Sequence, residues 1–528
     1  MSRYDAIVVG GGHNGLTAAG YLAKAGMSVV VLERRNIVGG AAVTEEVAPG
    51  CRVSSCSYIA SMLTPAVIRD LDLGRYGLKM VPCDPALNMP VADGSLVRLW
   101  ANPERTASEL RRYSTRDAES YVRVDAELKK LARYLQPFFL EPPPNLSAKG
   151  VDRVFEFARL AKRFWNISGA EAAAMVRFLT GSLADFLDRH FEAPETKRLF
   201  LGNNVYGKHG GPYDAGSTLG LLFHLLSGGD HAVQGFTGHV IGGMGAITGA
   251  LANSARDKGA TILTDATVAE IRLKDGRAVG VSLDDGREFS ALVILSNADP
   301  KRTFLSLVDA RALNEEFRAD VAAIRMAGPA AKVNLVLSER PDIQGLPDVS
   351  TPAERAVLSI MDDLEDVQKL YDKAKFGELS DDLWVDCVFP SEVDATLCPP
   401  DRFMATCFIQ YVPWKIKDSD WNERREAFGD RVVELIGRHA PNVPKSVVAR
   451  KVLTPLDLQE IYGLTEGNIF HGDLNLGQLF FMRPTPEWSQ YRTPISGLYL
   501  CGAGAHPGGG VTGAPGRNAA MAALKDRR

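Results

Sequence analysis

The sequence predicts an α/β protein with two domains, one of them built on a parallel sheet whose strands come from distant parts of the chain. Three observations predict this class. An apolar run, a glycine turn, a helical segment and a second apolar run follow one another within residues 1–35. A similar run, loop and helix occupy residues 498–525, and short apolar runs separated by turns fill residues 261–296. Apolar strands that alternate with helices are typical of parallel sheets.

The first glycine turn has the spacing of a dinucleotide-binding loop. Gly10, Gly12 and Gly15 form a G-x-G-x-x-G pattern that also encloses His13 and Asn14. The first glycine permits a tight turn, the second lets a pyrophosphate approach the backbone, and the third lets the helix pack close to the sheet. The helix N-terminus offers free N–H groups to the phosphates. We therefore predict that this segment binds a dinucleotide; an ordinary glycine turn is the alternative.

An acidic residue follows at the distance that such a site requires. The second apolar run ends at Glu33, 18 residues after Gly15. A carboxylate there accepts hydrogen bonds from both ribose hydroxyls and repels a 2′-phosphate, which favours FAD or NAD over NADP. Gly39, Gly40 and Ala41 come soon afterwards and suggest a second approach of the backbone to the cofactor, although an ordinary loop turn has the same pattern.

The end of the chain carries a second glycine loop. The apolar run 498–501 leads into Gly502 and Ala503, and the loop continues through Gly510 and Val511 to a helix. The positive end of that helix could stabilise the negative charge that grows on a flavin during reduction. One motif for the adenine end and one for the flavin end together predict FAD, because NAD alone would not need the second.

Composition restricts the class of protein. The chain has 528 residues, 45% apolar and 23% charged, with a net charge of −4, which is typical of a soluble protein with more than one domain. No basic block indicates nucleic acid, no metal site is predicted, and no apolar run is long enough to cross a membrane. The N-terminus enters a strand at once and the seven cysteines are scattered, so we expect a cytoplasmic protein, with peripheral membrane contact left open.

Two of the cysteines have the spacing of a redox-active pair. Cys51 and Cys56 are separated by four residues, as in flavin disulfide reductases, where the pair follows the glycine pair almost directly and begins a helix. Here Cys51 comes 11 residues after Gly40, in a segment that looks extended. Residues five apart on a strand point to opposite faces. We therefore interpret them as structural thiols, with a redox pair as the alternative.

These motifs together resemble a known family. The segments VVGGGHNGLTAAGYLAKAG, VVVLERRNIVGGAA, GGMGAITGAL, ILSNADP, GNIFHGDL and LYLCGAGAHPGGGVTGAPGRNAA resemble those of phytoene-desaturase-like flavoproteins. Within that group the chain looks most like the branch of carotenoid ketolase-like proteins and the animal pyridine nucleotide-disulfide oxidoreductase domain-containing relatives. The group lies in the amine oxidase and carotenoid desaturase superfamily, and the likeness runs from end to end.

The resemblance implies a Rossmann-like domain with non-covalent FAD, together with a second substrate domain of mixed sheet and helices. It implies an FAD domain made of residues 1–75, 236–310 and 460–528, and a substrate or lid domain made of 76–235 and 311–459. It places Arg34 and Gly40 near the pyrophosphate and Val268 at the adenine. It places Gly502, Ala503 and Val511 beside the flavin.

The predicted reaction is hydride removal from a lipophilic small molecule to flavin N5, which leaves a new double bond. His506 and His471 are the candidate proton acceptors, because imidazole titrates near neutral pH. Oxygen or a quinone is the expected electron acceptor, and the oligomeric state stays open.

Three alternatives to this reaction remain. The first is amine oxidation at a C–N bond, which predicts an aromatic-lined pocket and often a lysine near flavin N5. The second is a flavoprotein scaffold that binds a protein partner without turnover. The third is a disulfide reductase, for which a nicotinamide domain and a well-placed cysteine pair are missing.

Overall fold

The computed structural model describes residues 2–145, 148–165, 167–201, 206–227, 237–347 and 349–527. The strands are, in chain order, β1 (Ser2–Arg3), β2 (Ala6–Val9), β3 (Val29–Leu32), β4 (Thr44–Ala48), β5 (Cys51–Ser54), β6 (Met80–Cys83), β7 (Leu87–Pro90), β8 (Leu96–Leu99), β9 (Thr237–Val240), β10 (Thr261–Leu263), β11 (Val268–Lys274), β12 (Arg277–Leu283), β13 (Glu288–Ser290), β14 (Val293–Ser296), β15 (Ala330–Leu337), β16 (Val357–Ile360), β17 (Trp384–Val388), β18 (Phe403–Gln410), β19 (Val447–Leu453) and β20 (Leu498–Leu500).

The helices follow the same chain order. They are α1 (His13–Lys24), α2 (Pro65–Asp70), α3 (Pro103–Leu110), α4 (Thr115–Leu135), α5 (Gly150–Phe164), α6 (Gly169–Thr180), α7 (Leu183–His190), α8 (Pro194–Leu199), α9 (Leu219–Ser227), α10 (Gly245–Asp257), α11 (Pro300–Arg302), α12 (Glu315–Ala323), α13 (Pro352–Arg355), α14 (Leu364–Lys375), α15 (Trp421–Gly437), α16 (Val443–Ser446), α17 (Pro455–Tyr462) and α18 (Ala514–Arg527). Within the described ranges, none of them combines the length and the hydrophobicity that a membrane crossing requires.

A five-stranded parallel sheet unites the beginning, the middle and the end of the chain. Its strand order is β10-β3-β2-β14-β20, and every neighbouring pair is parallel. Strands β2 and β3 read AIVV and VVVL and are buried throughout, as expected for strands covered on both faces. Helix α1 packs against α10 and α18 beside this sheet. The predicted α/β class, with a sheet assembled from distant segments, is confirmed.

Residues 268–290, where the sequence has short apolar runs separated by turns, form two successive hairpins. Strands β11, β12 and β13 pair antiparallel in succession, and β1 joins β13 in parallel to complete a four-stranded sheet. The turns fall at Gly276 and Gly286, both of which have positive φ. This small sheet lies directly before β14, so it brings the chain back to the centre of the parallel sheet.

A seven-stranded mixed sheet forms the second layer. Its order is β19-β15-β18-β17-β16-β7-β8, and all of its neighbouring pairs are antiparallel except β16 with β7. Most of the helices before β9 lie between the strands of this sheet and β9: they are α3–α9, in the described part of residues 103–227. The short strands β6, β7 and β8 precede them, and the first two contain proline.

The proposed division into two domains stays a prediction. The parallel sheet and the seven-stranded sheet draw on the segments assigned to the FAD and substrate domains, respectively. However, β6 pairs with β9 across the assigned border. The border at residues 235 and 236 itself lies outside the described residues.

A close approach of α1 and α18 depends on one glycine. A Cβ built on Gly516 would lie 2.0 Å from the carbonyl oxygen of Asn14, which is less than any contact a real side chain makes. We expect Gly516→Ala to push the helices apart and to lower the free energy of unfolding by about 1–3 kcal/mol.

Denaturant unfolding of the purified protein measures this change. Gly249→Ala is the matched control, because a Cβ on this residue of α10 meets nothing within 4 Å. The free energy of unfolding of the control should rise by about 0.5–1 kcal/mol, because alanine is a better helix former than glycine. Equal stability of the two variants would contradict the close packing.

Candidate cofactor and substrate cavity

A cavity of about 780 Å³ lies at the carboxyl ends of β2, β3 and β14. Val9, Leu32 and Asn297 mark these strand ends in its wall. The opposite wall includes residues of β15, β17 and β18, so the cavity is enclosed between the two large sheets. Ligands of open α/β sheets bind outside the carboxyl ends of the strands, which makes this cavity the candidate functional site.

Most of the residues predicted to bind the cofactor line this cavity. They are Gly10, Gly12, His13, Asn14, Glu33, Arg34, Gly40, Ala41, Val268, Ala503, Gly510 and Val511. Gly15, Gly39 and Gly502 are not in its wall and support it from behind. The Gly39 N–H donates to the carbonyl oxygen of Gly11 (2.9 Å), and a Cβ on Gly502 would lie 2.6 Å from the carbonyl oxygen of Asn297.

The glycine turn has the features of a dinucleotide cradle. Gly10 has φ +97°, which L side chains rarely adopt, and a Cβ on Gly15 would lie 2.2 Å from the Gly10 carbonyl oxygen. No side chain caps the N-terminus of α1, where Gly12 is the N-cap residue. The first N–H groups of a 12-residue helix therefore remain available for an anionic group. These residues fit the pyrophosphate of FAD.

Glu33 holds the turn in place. It is buried, and its two carboxylate oxygens accept from the backbone N–H groups of Gly11 (2.7 Å) and Arg35 (2.9 Å). A carboxylate has about four acceptor sites, so each oxygen can accept once more. The geometry therefore fits a carboxylate that also binds the ribose hydroxyls of the adenosine.

His13 connects the two ends of the chain. Its Nε2–H donates to the carbonyl oxygen of Gly510 (3.1 Å), which belongs to the C-terminal loop. Burial lowers the pKa of His13 to about 4, so the imidazole is neutral at pH 7. His13 thus fixes one glycine loop against the other beside the cavity.

Among the described residues, the cavity wall contains six cationic side chains, of which the sequence analysis predicted only Arg34 for the site: Arg34, Arg35, Lys208, Lys301, Arg302 and Lys332. Arg34 was predicted near the pyrophosphate; it lines the cavity, and its guanidinium donates to the carbonyl oxygens of Glu460 and Ile461 in α17. Lys301 and Arg302 also line it, in the short helix α11 that follows β14. The sequence signal that could have identified Lys301 and Arg302 was a pair of basic residues soon after a buried strand.

The two candidate proton acceptors lie in different surroundings. His471 lines the cavity, and among the described residues its Nδ1 is buried without a hydrogen-bond partner. Burial lowers the pKa of His471, which favours the neutral imidazole. His506 is not in the cavity wall: its Nε2–H donates to the carbonyl oxygen of Phe138 (2.7 Å), and burial lowers its pKa to about 4. His506 thus lies outside the described cavity wall, and its role as a proton acceptor stays a prediction.

A buried polar cluster in the opposite wall was not found from the sequence. Lys332 is 1% exposed, and its Nζ donates to Thr406 Oγ1 (2.7 Å) and lies 4.1 Å from the centre of the Tyr58 ring. The Tyr58 hydroxyl donates to Asp386 Oδ2 (2.8 Å), whose other oxygen accepts from Ser359. A lysine within the apolar run of β15 was the available signal.

Burial shifts the titration of this cluster. It lowers the pKa of Lys332 to about 8 and raises the pKa of Asp386, because the low-dielectric interior disfavours both charged forms. At pH 7 the lysine still carries its proton in most molecules. A strongly shifted pKa in a cavity wall marks a candidate functional residue.

Aromatic side chains surround the cluster. Tyr58 and Phe408 stack with ring centres 5.7 Å apart, and Tyr206 meets Phe408 edge-on at 5.6 Å. All three rings line the cavity, together with Phe223 and Phe470. This wall can hold an apolar molecule. The polar cluster of Lys332 and Asp386 lies at one position among its aromatic rings.

Cys51 and Cys56 are free thiols in different apolar clusters. Burial raises the pKa of both, to about 12 for Cys56, so neither forms a reactive thiolate readily at pH 7. Their surroundings support the structural interpretation.

Comparisons with known proteins agree with this geometry. A family model described as flavin containing amine oxidoreductase matches residues 15–366, more than half of the chain. The chain is 37% identical to the pyridine nucleotide-disulfide oxidoreductase domain-containing protein 2 of Mus musculus, over 99% of this chain and 94% of that protein. It is 24% identical to a neurosporene-forming phytoene desaturase of Cereibacter sphaeroides, over 98% and 94%. The predicted resemblance is confirmed.

A solved structure supports the fold. The cyclohexylamine oxidase of Brevibacterium oxydans superimposes with a TM-score of 0.55 at 18% identity, covering 99% of this chain and 100% of that one. At this identity the likeness concerns the fold alone.

Replacing the Glu33 carboxylate should weaken cofactor binding. Glu33→Gln keeps the shape of the side chain but removes the charge that would accept hydrogen bonds from the ribose hydroxyls of bound FAD. Hydrogen bonds to charged groups contribute about 1.5–3 kcal/mol, so we expect the FAD dissociation constant to rise about tenfold or more.

Flavin fluorescence during titration of the deflavinated protein measures the constant. Glu270→Gln, on an exposed position of β11, is the control and should bind FAD normally. Unchanged affinity in Glu33→Gln would show that the carboxylate has no part in the site.

Proposed function

The chain belongs to the family of flavin-containing amine oxidoreductases and uses FAD, and we propose that it dehydrogenates a lipophilic small molecule. In this reaction a carbon of the substrate loses a hydride, a neighbouring position loses a proton, and a double bond forms. FAD, held by the two glycine loops, would supply the hydride acceptor at its N5 atom. Oxygen or a quinone is the proposed acceptor of the two electrons.

The continuity of the cavity carries this proposal. One cavity extends from the two glycine loops to an apolar wall that includes Ile59, Leu87 and Leu219. Pockets for small molecules are mostly apolar with a few placed polar groups, and this wall has that character. The name of the phytoene desaturase relative also supports a lipophilic substrate.

The side chains of this chain have positioning and proton-handling roles in the proposal. The rings of Tyr58, Tyr206 and Phe408 hold the apolar body of the substrate and exclude water. His471 accepts the proton, since its neutral imidazole lines the cavity and Nδ1 has no partner among the described residues. Lys332, held by Thr406 and the Tyr58 ring, presents a cation to the same space.

Amine oxidation is the second candidate, and a specific observation favours it. This reaction predicts an aromatic-lined pocket and often a lysine near flavin N5; aromatic rings and the buried Lys332 line the cavity, which supports this candidate. A protonated amine would meet Lys332 as a like charge, so the neutral amine would be the form that binds. A substrate screen therefore needs both classes of compound.

The absorption spectrum of the flavin under anaerobic conditions tests the proposal. We expect a bound, oxidised flavin that NADH leaves unbleached and that a lipophilic alkene from a screened panel bleaches. Bleaching by amines alone would favour the second candidate. Rapid bleaching by NADH would contradict both and indicate a reductase or oxygenase, and no bleaching by any compound would indicate a scaffold without turnover.

Replacing Lys332 should have different effects on the stability of the fold and on the rate of flavin reduction. Its pKa of about 8 lies below the ordinary 10.5, so the folded state binds fewer protons than the unfolded state between these values, and stability rises with pH across that range. Below about pH 8 the buried charge destabilises the fold. Lys332→Met should therefore be at least as stable as the wild type at pH 7 and lose this rise.

In the Lys332→Met variant, the substrate should reduce the flavin at least about tenfold more slowly, because the cation proposed to act on the substrate is missing. Thermal unfolding at pH 7 and 9.5 and stopped-flow reduction measure the two effects. Lys369→Met, on the exposed face of α14, is the control for both. A Lys332→Met variant with normal reduction would assign the lysine a purely structural role.

A further inference from the structure

Helix α5 and the residue that follows it direct their large apolar side chains to solvent. Val151, Val154, Phe155 and Phe157 are 70%, 67%, 69% and 57% exposed, and Trp165 is 81% exposed. On a helical projection these five residues share one side, which we call the α5 face. Soluble proteins rarely expose such a contiguous apolar patch without a binding partner.

The opposite side of α5 is the one that contacts the protein. Arg159 Nη1 lies 3.8 Å from Glu141 Oε2, and its Nη2 donates to Glu156 Oε2 (2.8 Å). Leu160 is half-buried on this side, and Phe164 is half-buried at its border, next to Phe157 on the projection. The helix therefore anchors itself through an ionic pair and two apolar residues, and its more hydrophobic side remains outside. This is the reverse of an ordinary surface helix.

The charge around the α5 face is positive. Residues 149–177 contain six lysines and arginines and three acidic residues, whereas the whole chain has a net charge of −4. Lys149, Arg153 and Lys162 are exposed on this segment, and Asp152 is the exposed acidic residue among them. An apolar stripe flanked by basic residues is the pattern of helices that lie in the interface of an anionic membrane.

Aromatic contacts connect the inner side of α5 with the cavity. Phe164 stacks on Phe138 with ring centres 5.9 Å apart, and the neighbour of Phe138 in the chain, Phe139, meets Phe223 edge-on at 5.7 Å. Phe223 lines the cavity. The inner side of α5 is therefore linked to the cavity wall through packed aromatic side chains.

We propose that the α5 face binds the surface of an anionic lipid bilayer, with α5 lying parallel to the membrane and its aromatic residues inserted below the headgroups. The basic residues contact the lipid phosphates. The advantage of this location for a lipophilic substrate rests on the proposed function, but membrane binding itself does not.

The charges favour a bilayer over a second copy of the chain. In a symmetric dimer through this face, the two basic rims would lie against each other, and like charges at an interface oppose association. An anionic bilayer neutralises the same charges and covers the apolar residues.

Sedimentation with sucrose-loaded vesicles tests the proposal on the purified FAD-containing protein. One set contains phosphatidylcholine with about 30 mol % phosphatidylglycerol, and the other contains phosphatidylcholine alone. We expect binding to the anionic vesicles that weakens as salt increases. The double variant F155S/W165S should lower the partition coefficient at least about tenfold. The variant K149E/K162E should lower binding to anionic vesicles and leave the weak binding to neutral vesicles unchanged.

Phe376→Ser is the matched control, because Phe376 is 71% exposed elsewhere on the surface and should not affect binding. Flavin content and melting temperature show that each variant is folded. No sedimentation of the wild type, or an undiminished partition of F155S/W165S, would overturn the proposal. So would a dimer in solution that F155S/W165S dissociates, since the α5 face would then be an interface between copies. Flavin reduction is measured separately, so membrane binding and catalysis can fail independently.

Discussion

Close backbone packing around α1 is the constraint on which the rest of the structure depends. The carbonyl oxygens of Gly10 and Asn14 occupy positions where a Cβ on Gly15 and on Gly516 would stand. Because both positions are glycine, α1 can begin directly beside β2 and α18 can lie directly on α1. The first and last helices of the chain thereby form one layer over the parallel sheet, and the two glycine loops meet at one end of it.

This arrangement determines the shape of the site. The His13 side chain holds the C-terminal loop through the Gly510 carbonyl, and Glu33 holds the N-terminal loop through backbone N–H groups. Both loops are thus fixed before any ligand arrives, which lowers the ordering entropy that binding would otherwise cost. The seven-stranded sheet closes the cavity from the other side with aromatic rings.

The buried cluster around Lys332 is costly for stability and therefore informative about function. Desolvation lowers the pKa of the lysine to about 8, and no carboxylate accepts directly from its Nζ among the described residues. A hydrophobic side chain of similar length would be easier to bury. Retaining a cation there is reasonable if it acts on a ligand, as strongly perturbed groups often do. The α5 face is a second feature that folding alone does not require.

The sequence by itself determined the parallel-sheet domain and its cofactor. Glycine spacing, apolar runs and the position of Glu33 are local properties, and each has a direct physical meaning in a strand–turn–helix unit. The structure brought most of the predicted cofactor residues into one cavity wall for this reason. The C-terminal glycine loop could be predicted equally well, because it repeats the same strand–turn–helix pattern.

Only the tertiary structure showed which residues form the cavity wall opposite the glycine loops. Lys332, Tyr58 and Asp386 lie in separate segments, and no local pattern shows that β15 and β17 bring them together. His471 and His506 looked alike in sequence, yet one lines the cavity and the other binds the Phe138 carbonyl. The short strands β6 and β7 contain proline, and their pairing with β9, β8 and β16 supplies the hydrogen bonds that their own residues do not predict. Long-range pairing and burial set these features, and a sequence pattern does not contain them.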